Sequence, residues 1–440
     1  MLKRIGIKEE GAQKLISKAS FPAPFKEGLE FSSPARGNWN IVHTGLLIPQ
    51  AHEIFVCAQG CLRGVVLTAA EANALGRYSA LAIREENVLE GNMEEFMIEG
   101  VSDVLNKLPY EPKAVLLFIS CQHFFLAYDL KVVLEELAVR FPKIHFTDCY
   151  MIPTLRKSGL TPDQKMRVQL YSLLTAREKN YKKINLIGSN LPISPSSEVY
   201  GMLTQGGYEL RQISDCKTYE EYEDMAEAFL NLIYEPMALM AGKDLKERLG
   251  QEYLYLPFCF QKERIEENHK KLCEALHMEP VDFSQLQEKV EQVWAKVREQ
   301  IGNTPIAVDY TFTFRILSFT RMLLERGLHV TEVYADTFMP EEKEDFLWIQ
   351  ENYPDLLISS TNRPQMRFSQ RERSEKILAV GQKAAYFTGT DYFVNVAESG
   401  GFYGYDGLMQ IGELMLDAIS HKKDCEMLIQ RKGYGCESCI

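Results

Sequence analysis

Nowhere does this 440-residue chain hold an uninterrupted apolar stretch of about 18 residues, the minimum for a membrane-spanning helix. It lacks a basic surplus as well. With 61 acidic against 49 basic side chains, the formal charge of −12 argues against a main role in coating nucleic acid or an anionic membrane, since both need a basic face. The phosphate-cradling pattern GxxxxGK[ST] is missing, so the chain is not expected to hydrolyse ATP itself. The first ten residues are charged and lack the apolar core of a signal peptide, which makes the cytoplasm the expected compartment. No tract is poor in apolar residues, so disorder is expected only at the ends.

What is present reads as a large α/β protein. Single cores stop growing near about 250–300 residues, so the length calls for two or three domains. Residues 54–57 (IFVC), 114–121 (AVLLFISC) and 144–149 (IHFTDC) have the apolar continuity of buried strands, and 64–78 and 129–141 carry helical spacing. The same grammar restarts at 183–188 (KINLIG), with a helix from about 196 to 205, a Gly206-Gly207 stop and a strand at 208–213. It restarts again at 305–310 (PIAVDY), with a helix over 315–326, a stop at Gly327 and a strand at 328–334. Residues 263–276 and 283–301 read as long charged helices. The expected architecture is three Rossmann-like domains with parallel sheets flanked by helices, bounded at 1–180, 181–302 and 303–440.

Ten cysteines are many for a cytoplasmic chain, where disulfides are disfavoured. Cys273 and Cys425 read as small buried hydrophobes, the common fate of a free thiol. Cys57, Cys121 and Cys149 each end an expected strand, and Cys61 follows Cys57 in CAQGC, where Gly60 leaves room beside the backbone. In an open α/β sheet the strand carboxyl ends are where ligands bind. Thiolates arriving there from separate loops suit soft metals and iron–sulfur clusters, while the same cysteines taken singly suit core filling. Cys436 and Cys439 form a CxxC in the final residues, half of a tetrahedral metal site. Cys259 ends a further strand and reads as a buried thiol, and His123, two residues past Cys121, is placed to tune or ligate a bound group. Arg363, Arg367, Arg371 and Arg373 read as a solvated helix start or an anion contact.

The ordered set Ala35-Arg36-Gly37-Asn38, His43 with Gly45, Gly60-Cys61, Ile119-Ser120-Cys121 and Tyr128-Asp129-Leu130 resembles the cluster-binding domain of nitrogenase component 1. That family includes the nitrogenase α and β subunits, cofactor-assembly scaffolds and dark-operative tetrapyrrole reductases. The resemblance continues through Glu86-Asn87-Val88 with Gly91, through 253–258 (YLYLPF) and through 399–407 (SGGFYGYDG). Carried over residue by residue, it places the family's second and third cluster cysteines on Cys61 and Cys121. The first falls near Asn38, which has no thiol, so Cys57, a partner chain or, more weakly, Cys149 takes its place. The resemblance then implies a [4Fe–4S] cluster on Cys57, Cys61 and Cys121, completed by another residue or chain.

A second departure bears on activity. The segment 231–250, which resembles the family's cofactor-cysteine region, has Tyr234 and its neighbours but no cysteine, and 391–400 contains no histidine. No iron–molybdenum cofactor, and hence no dinitrogen reduction, is expected. The resemblance implies a partner ATPase of the nitrogenase iron-protein type, and a homodimer or a sister component 1-like subunit. Its leading functional expectation is an electron-accepting reductase component. A cofactor-assembly scaffold or carrier, and a metal-free binding protein for an organic ligand, are the rivals.

Overall fold

A computed structural model of the chain describes residues 11–26, 28–35, 37, 40–126, 128–152, 160–369 and 375–429. The first strand, β1 (Gln13–Leu15), belongs to a sheet whose other members come from the last third of the chain. The next four, β2 (Ala51–Ala58), β3 (Tyr78–Ile83), β4 (Ala114–Ser120) and β5 (His145–Met151), form a parallel sheet in the order β3-β2-β4-β5. Every residue of β4 is buried, as a central parallel strand covered on both faces requires. On one face Phe55 and Phe118 stack with ring centroids 4.1 Å apart. On the other, Ile54, Val56, Leu117 and Ile119 pack with Met97 and Val101 of the helix Met93–Lys107 and with Val133 and Leu137 of the helix Leu130–Arg140.

A second parallel sheet holds β6 (Asn180–Ile187), β7 (Glu209–Arg211), β8 (Ala228–Ile233) and β9 (Glu252–Tyr255), in the order β7-β6-β8-β9. These two sheets lie in one compact unit, residues 39–192 with 203–257. The other unit gathers the residues up to 38, residues 193–202 and residues 258–430. It contains β10 (Ile306–Asp309), β11 (Val330–Tyr334), β12 (Leu357–Ser359), β13 (Leu378–Val380) and β14 (Phe393–Val394), in the order β1-β12-β11-β10-β13-β14. Only β1 runs antiparallel to its neighbour. The fold is thus α/β, with three Rossmann-like parallel sheets flanked by helices.

Several element ends differ from the sequence expectation. The helix expected over 64–78 instead spans Gln59–Glu71, because Tyr78 already opens β3, an edge strand with only one fully buried residue and therefore little apolar signal. Cys57 is followed by one more strand residue, Ala58, and Cys61 sits in the first turn of a helix where a short loop was expected. The strand ending at Cys121 stops at Ser120, and Cys121 opens the helix Cys121–Phe125. The strand read as ending at Cys149 continues through Tyr150 to Met151.

Close approach to a backbone fixes one glycine in the second sheet. A Cβ on Gly188 would stand 2.2 Å from Cζ of Tyr234, whose ring is buried and whose hydroxyl donates to the Leu191 carbonyl at 2.9 Å. Gly188→Ala is therefore expected to lower unfolding free energy by about 2–3 kcal/mol, the usual cost of overpacking a rigid site. A urea titration with an unchanged midpoint would contradict this.

Candidate functional site at a strand switch point

In the first sheet the chain lays β2 down, places β3 on one side of it, then crosses to put β4 on the other side. The crossover between β2 and β4 is a topological switch point, where the loops leave in opposite directions and open a crevice at the carboxyl ends. Cys57 and Cys61 lie where β2 leaves the sheet, and Cys121 lies where β4 leaves it. The Ala58 N–H donates to Oε1 of Gln122 at 3.1 Å, tying the two strand exits together one residue beyond each of Cys57 and Cys121.

The three sulfurs differ in exposure: Cys57 is buried, Cys121 half-buried and Cys61 exposed. Burial pushes the Cys57 thiol up to about 12, and the neighbouring Cys61 and Cys121 sulfurs add to that rise. Both act on Cys57 as like charges when ionised, so the three sulfurs share one electrostatic neighbourhood. A cationic centre would reverse the penalty, since it stabilises thiolates that otherwise repel. Among the described residues, no three His, Cys, Asp or Glu side chains close on a site for a metal ion. A cluster brings its own sulfide and is bridged over several irons, so its cysteines come from separate loops. Beside Gly60 and Gly64 nothing approaches within 4 Å of an added Cβ, so the first helical turn past Cys57 leaves open space on that side.

His123 is folded into this rim. The Ser120 N–H donates to its Nδ1 at 3.1 Å, its ring meets Tyr128 edge-on at 5.1 Å, and its Nε2 has no hydrogen-bond partner among the described residues. Burial holds the imidazole down at about 4, so it is neutral at physiological pH. Tyr78, on the neighbouring edge strand, presents a buried hydroxyl without a hydrogen-bond partner among the described residues; burial raises it, then Cys57 and Glu53.

Cys149 is placed differently. Strand register sets it level with Phe118, two residues short of the end of β5, and it is sealed in the aromatic and aliphatic core of that face. Burial raises its thiol well above the usual range. It therefore lies short of the strand exits that carry the other three. Cys259 is buried in the other unit, where it accepts from Nη1 of Arg315 at 3.3 Å and from Nδ2 of Asn268 at 3.6 Å. Cys273 is buried and Cys425 half-buried. Asn38, Arg36, Arg371, Arg373, Cys436 and Cys439 lie outside the described residues. Arg363 donates to the Lys26 carbonyl and Arg367 is exposed.

Sequence reasoning missed Gln122, Tyr78 and Glu53. The last had a signal: a His-Glu pair inside the apolar run of β2, where both side chains are buried. His52 is satisfied by Tyr110 and Ser79, each at 2.8 Å, whereas neither carboxyl oxygen of Glu53 has a hydrogen-bond partner among the described residues.

Three sheets of mainly parallel strands, flanked by helices, define an α/β protein. The family pattern described as nitrogenase component 1 type oxidoreductase matches residues 42–420, and the chain belongs to that family. Its fold is similar to that of nitrogenase Cp1 solved at pH 6.5, with a TM-score of 0.66 at 13% identity over 90% of this chain and 94% of that one. Nitrogenase Cp1 at pH 5 gives a TM-score of 0.56 at 12% identity, over 90% and 92%. Among curated proteins none matches. Proteins of this family bind metal clusters, work with an iron-protein partner and form oligomers. No helix among the described residues is long and apolar enough to cross a membrane.

Proposed function

We infer that this chain is an iron–sulfur protein that accepts electrons from an ATP-dependent reductase partner and passes them to a substrate other than dinitrogen. The observation that supports this reading is the placement of Cys57 and Cys61 at the exit of β2 and of Cys121 at the exit of β4, on either side of the switch point. These three residues would hold a [4Fe–4S] cluster, completed by a further residue or by another chain. Bound there, such a cluster supplies one-electron redox chemistry. The chain's own part is to present the sulfurs from rigid strand ends, to bury Cys57 away from water and to keep a neutral His123 beside them.

Excluding dinitrogen follows from two missing ligands. Segment 231–250 has a buried tyrosine, Tyr234, and no cysteine, and 391–400 has no histidine. The surface beyond Cys121 supports a second chain at this site. Phe124, Phe125 and Leu126 follow it directly and are 58%, 69% and 46% exposed, a run of large apolar side chains that a partner or a second subunit would cover.

The experiment is anaerobic mixing of the metal-loaded protein with the iron-protein-type ATPase of the same source, following the visible spectrum. Reduction that requires both ATP and the ATPase is expected. Phe125→Asp should slow it about tenfold, the loss expected for one apolar anchor, with metal content unchanged. Equal reduction without ATP, or none with it, would remove the electron-acceptor reading.

A further inference from the structure

A cavity of about 760 Å³ lies in the unit of residues 258–430, whereas the cysteines of the switch point belong to the other unit. It forms where the helix Lys262–Leu276 ends and the chain turns back into the helix Ser284–Ile301. His277 terminates the first helix at φ 52°, and Met278 N–H returns to the Cys273 carbonyl at 2.9 Å. Asp282 then accepts from the Ser284 N–H at 2.9 Å, starting the second helix. The intervening loop stands off the helices and leaves room of the size that small organic ligands occupy.

Its lining combines three kinds of surface. Pro280, Val281 and Phe283 give an apolar wall suited to a flat hydrocarbon body. Glu266, Glu274 and Asp282 place three carboxylates against one ammonium, Lys270, which is paired with Glu274 at 3.8 Å. Gln287 orients Glu266 by donating to its Oε1 at 2.9 Å while also donating to the Tyr405 hydroxyl at 2.8 Å. Lys262 approaches Glu266 at 3.8 Å from outside the lining, so the acidic excess is reduced and not removed.

The third surface is a buried imidazole. His269 lines the cavity, is 6% exposed, and packs between Phe283 at 4.7 Å and Tyr405 at 5.5 Å. Its Nε2 lies 3.2 Å from Oε1 of Glu198, off the axis of a hydrogen bond. That carboxyl group accepts from the N–H groups of Tyr405 and Asp406 at 2.6 and 3.2 Å. With a proton on Nε2, the side that faces Glu198, a neutral ring would offer Nδ1 as an acceptor. Nδ1 has no hydrogen-bond partner among the described residues, an outlying cost for a buried polar atom unless something donates to it.

We propose that this cavity is a binding site for a small aromatic cation bearing N–H donors, of the amidine or aminated heteroaromatic class. The flat body lies against Phe283, an N–H meets Nδ1 of His269, and the positive charge faces Glu266 and Asp282. The site is independent of the cluster reading, because none of its residues belongs to the switch point.

Benzamidine and benzoate, the same ring with opposite charges, test it by calorimetric titration of the full-length protein. Benzamidine is expected to bind about tenfold or more tightly than benzoate, a difference of about 1.4 kcal/mol. Glu266→Gln, on an exposed side chain that folding does not depend on, should bring that ratio below about threefold, within the range of one partly exposed charge. Val281→Arg at the rim should remove benzamidine binding. Equal affinities, no benzamidine binding at about 10 mM, well short of what a compact ligand of this size can reach, or unchanged binding in both variants would overturn the proposal. His269→Asn adds a fourth arm if it folds; the two rim variants decide the matter without it.

Discussion

Cys121→Ala is expected to remove protein-bound iron and sulfide about tenfold or more, the loss that follows when a cluster ligand goes, while leaving the fold in place. Cys61→Ala should do the same. The separation of metal loss from stability rests on exposure: Cys61 is exposed and Cys121 half-buried, so trimming either sulfur leaves little cavity. Both also lie in the first turn of a helix, where alanine is tolerated. Cys149→Ala is the informative contrast. That sulfur is fully buried beside Phe118, so its removal should cost about 1–2 kcal/mol of stability as a core truncation and leave iron content unchanged. Cys57→Ala combines the two effects, since Cys57 is buried and also lies at the rim. Iron content measured with urea midpoints for all four variants separates ligand from core filler. Retention of iron in Cys61→Ala and Cys121→Ala would take the ligand assignment away and leave the fold untouched.

Glu53→Gln should flatten the pH dependence of stability above neutrality. Glu53 lies fully buried in β2 under Gly45, where an added Cβ would stand 2.2 Å from its Oε1. Arg77 is the nearby cation, but its guanidinium donates to the carbonyls of Leu46, Ile48 and Ala51 at 3.0, 2.6 and 3.0 Å, and makes no hydrogen bond to the carboxyl. Burial therefore raises the Glu53 carboxyl well above the carboxylate range, and Arg77 only partly opposes it.

The sign follows from proton counting. Unfolded, the group titrates near 4.5; folded, it keeps its proton to higher pH, so the folded state binds the extra proton. Stability is complete below the unfolded value and falls by about 1.4 kcal/mol per pH unit as pH rises toward the folded one. Below about 6.5 the slope is masked. His52 and His123, both held down at about 4 by burial, bind fewer protons folded than unfolded and push stability the other way. Urea midpoints at about pH 7 to 8 should thus decline less in Glu53→Gln than in the wild type, a window that stops short of the ionisation of unfolded thiols, whose buried counterparts such as Cys57 and Cys149 are also raised. Parallel curves would show that Glu53 is not held protonated.

Much of the architecture was legible because parallel strands buried on both faces are written as unbroken apolar runs. The runs at 114–121, 183–188 and 305–310 recur as β4, β6 and β10. The edge strand β3 went unread because YSALAI carries only one fully buried residue and alternates weakly. The start of the helix at Gln59, five residues before its expected beginning, was also missed, since Ala58 offers no side-chain cap and two of the next residues, Gly60 and Gly64, are glycine. The candidate site was half legible. Strand-ending cysteines can be picked out by eye, but whether they share a rim depends on strand order and on side-chain facing, which no local pattern encodes. Cys149 illustrates this: two further strand residues, Tyr150 and Met151, carry the rim past it. Cys57 with Cys121 illustrates the converse, joined through Gln122 across 64 residues of sequence.

The most direct test of the cysteine rim is Mössbauer spectroscopy, with iron and sulfide counted, on protein purified without oxygen and reconstituted with iron and sulfide. The account predicts about four irons with matching sulfide per cluster in a cysteine-ligated environment. Protein that stays colourless and iron-free through that treatment, or holds a lone tetrahedral ion, would contradict it.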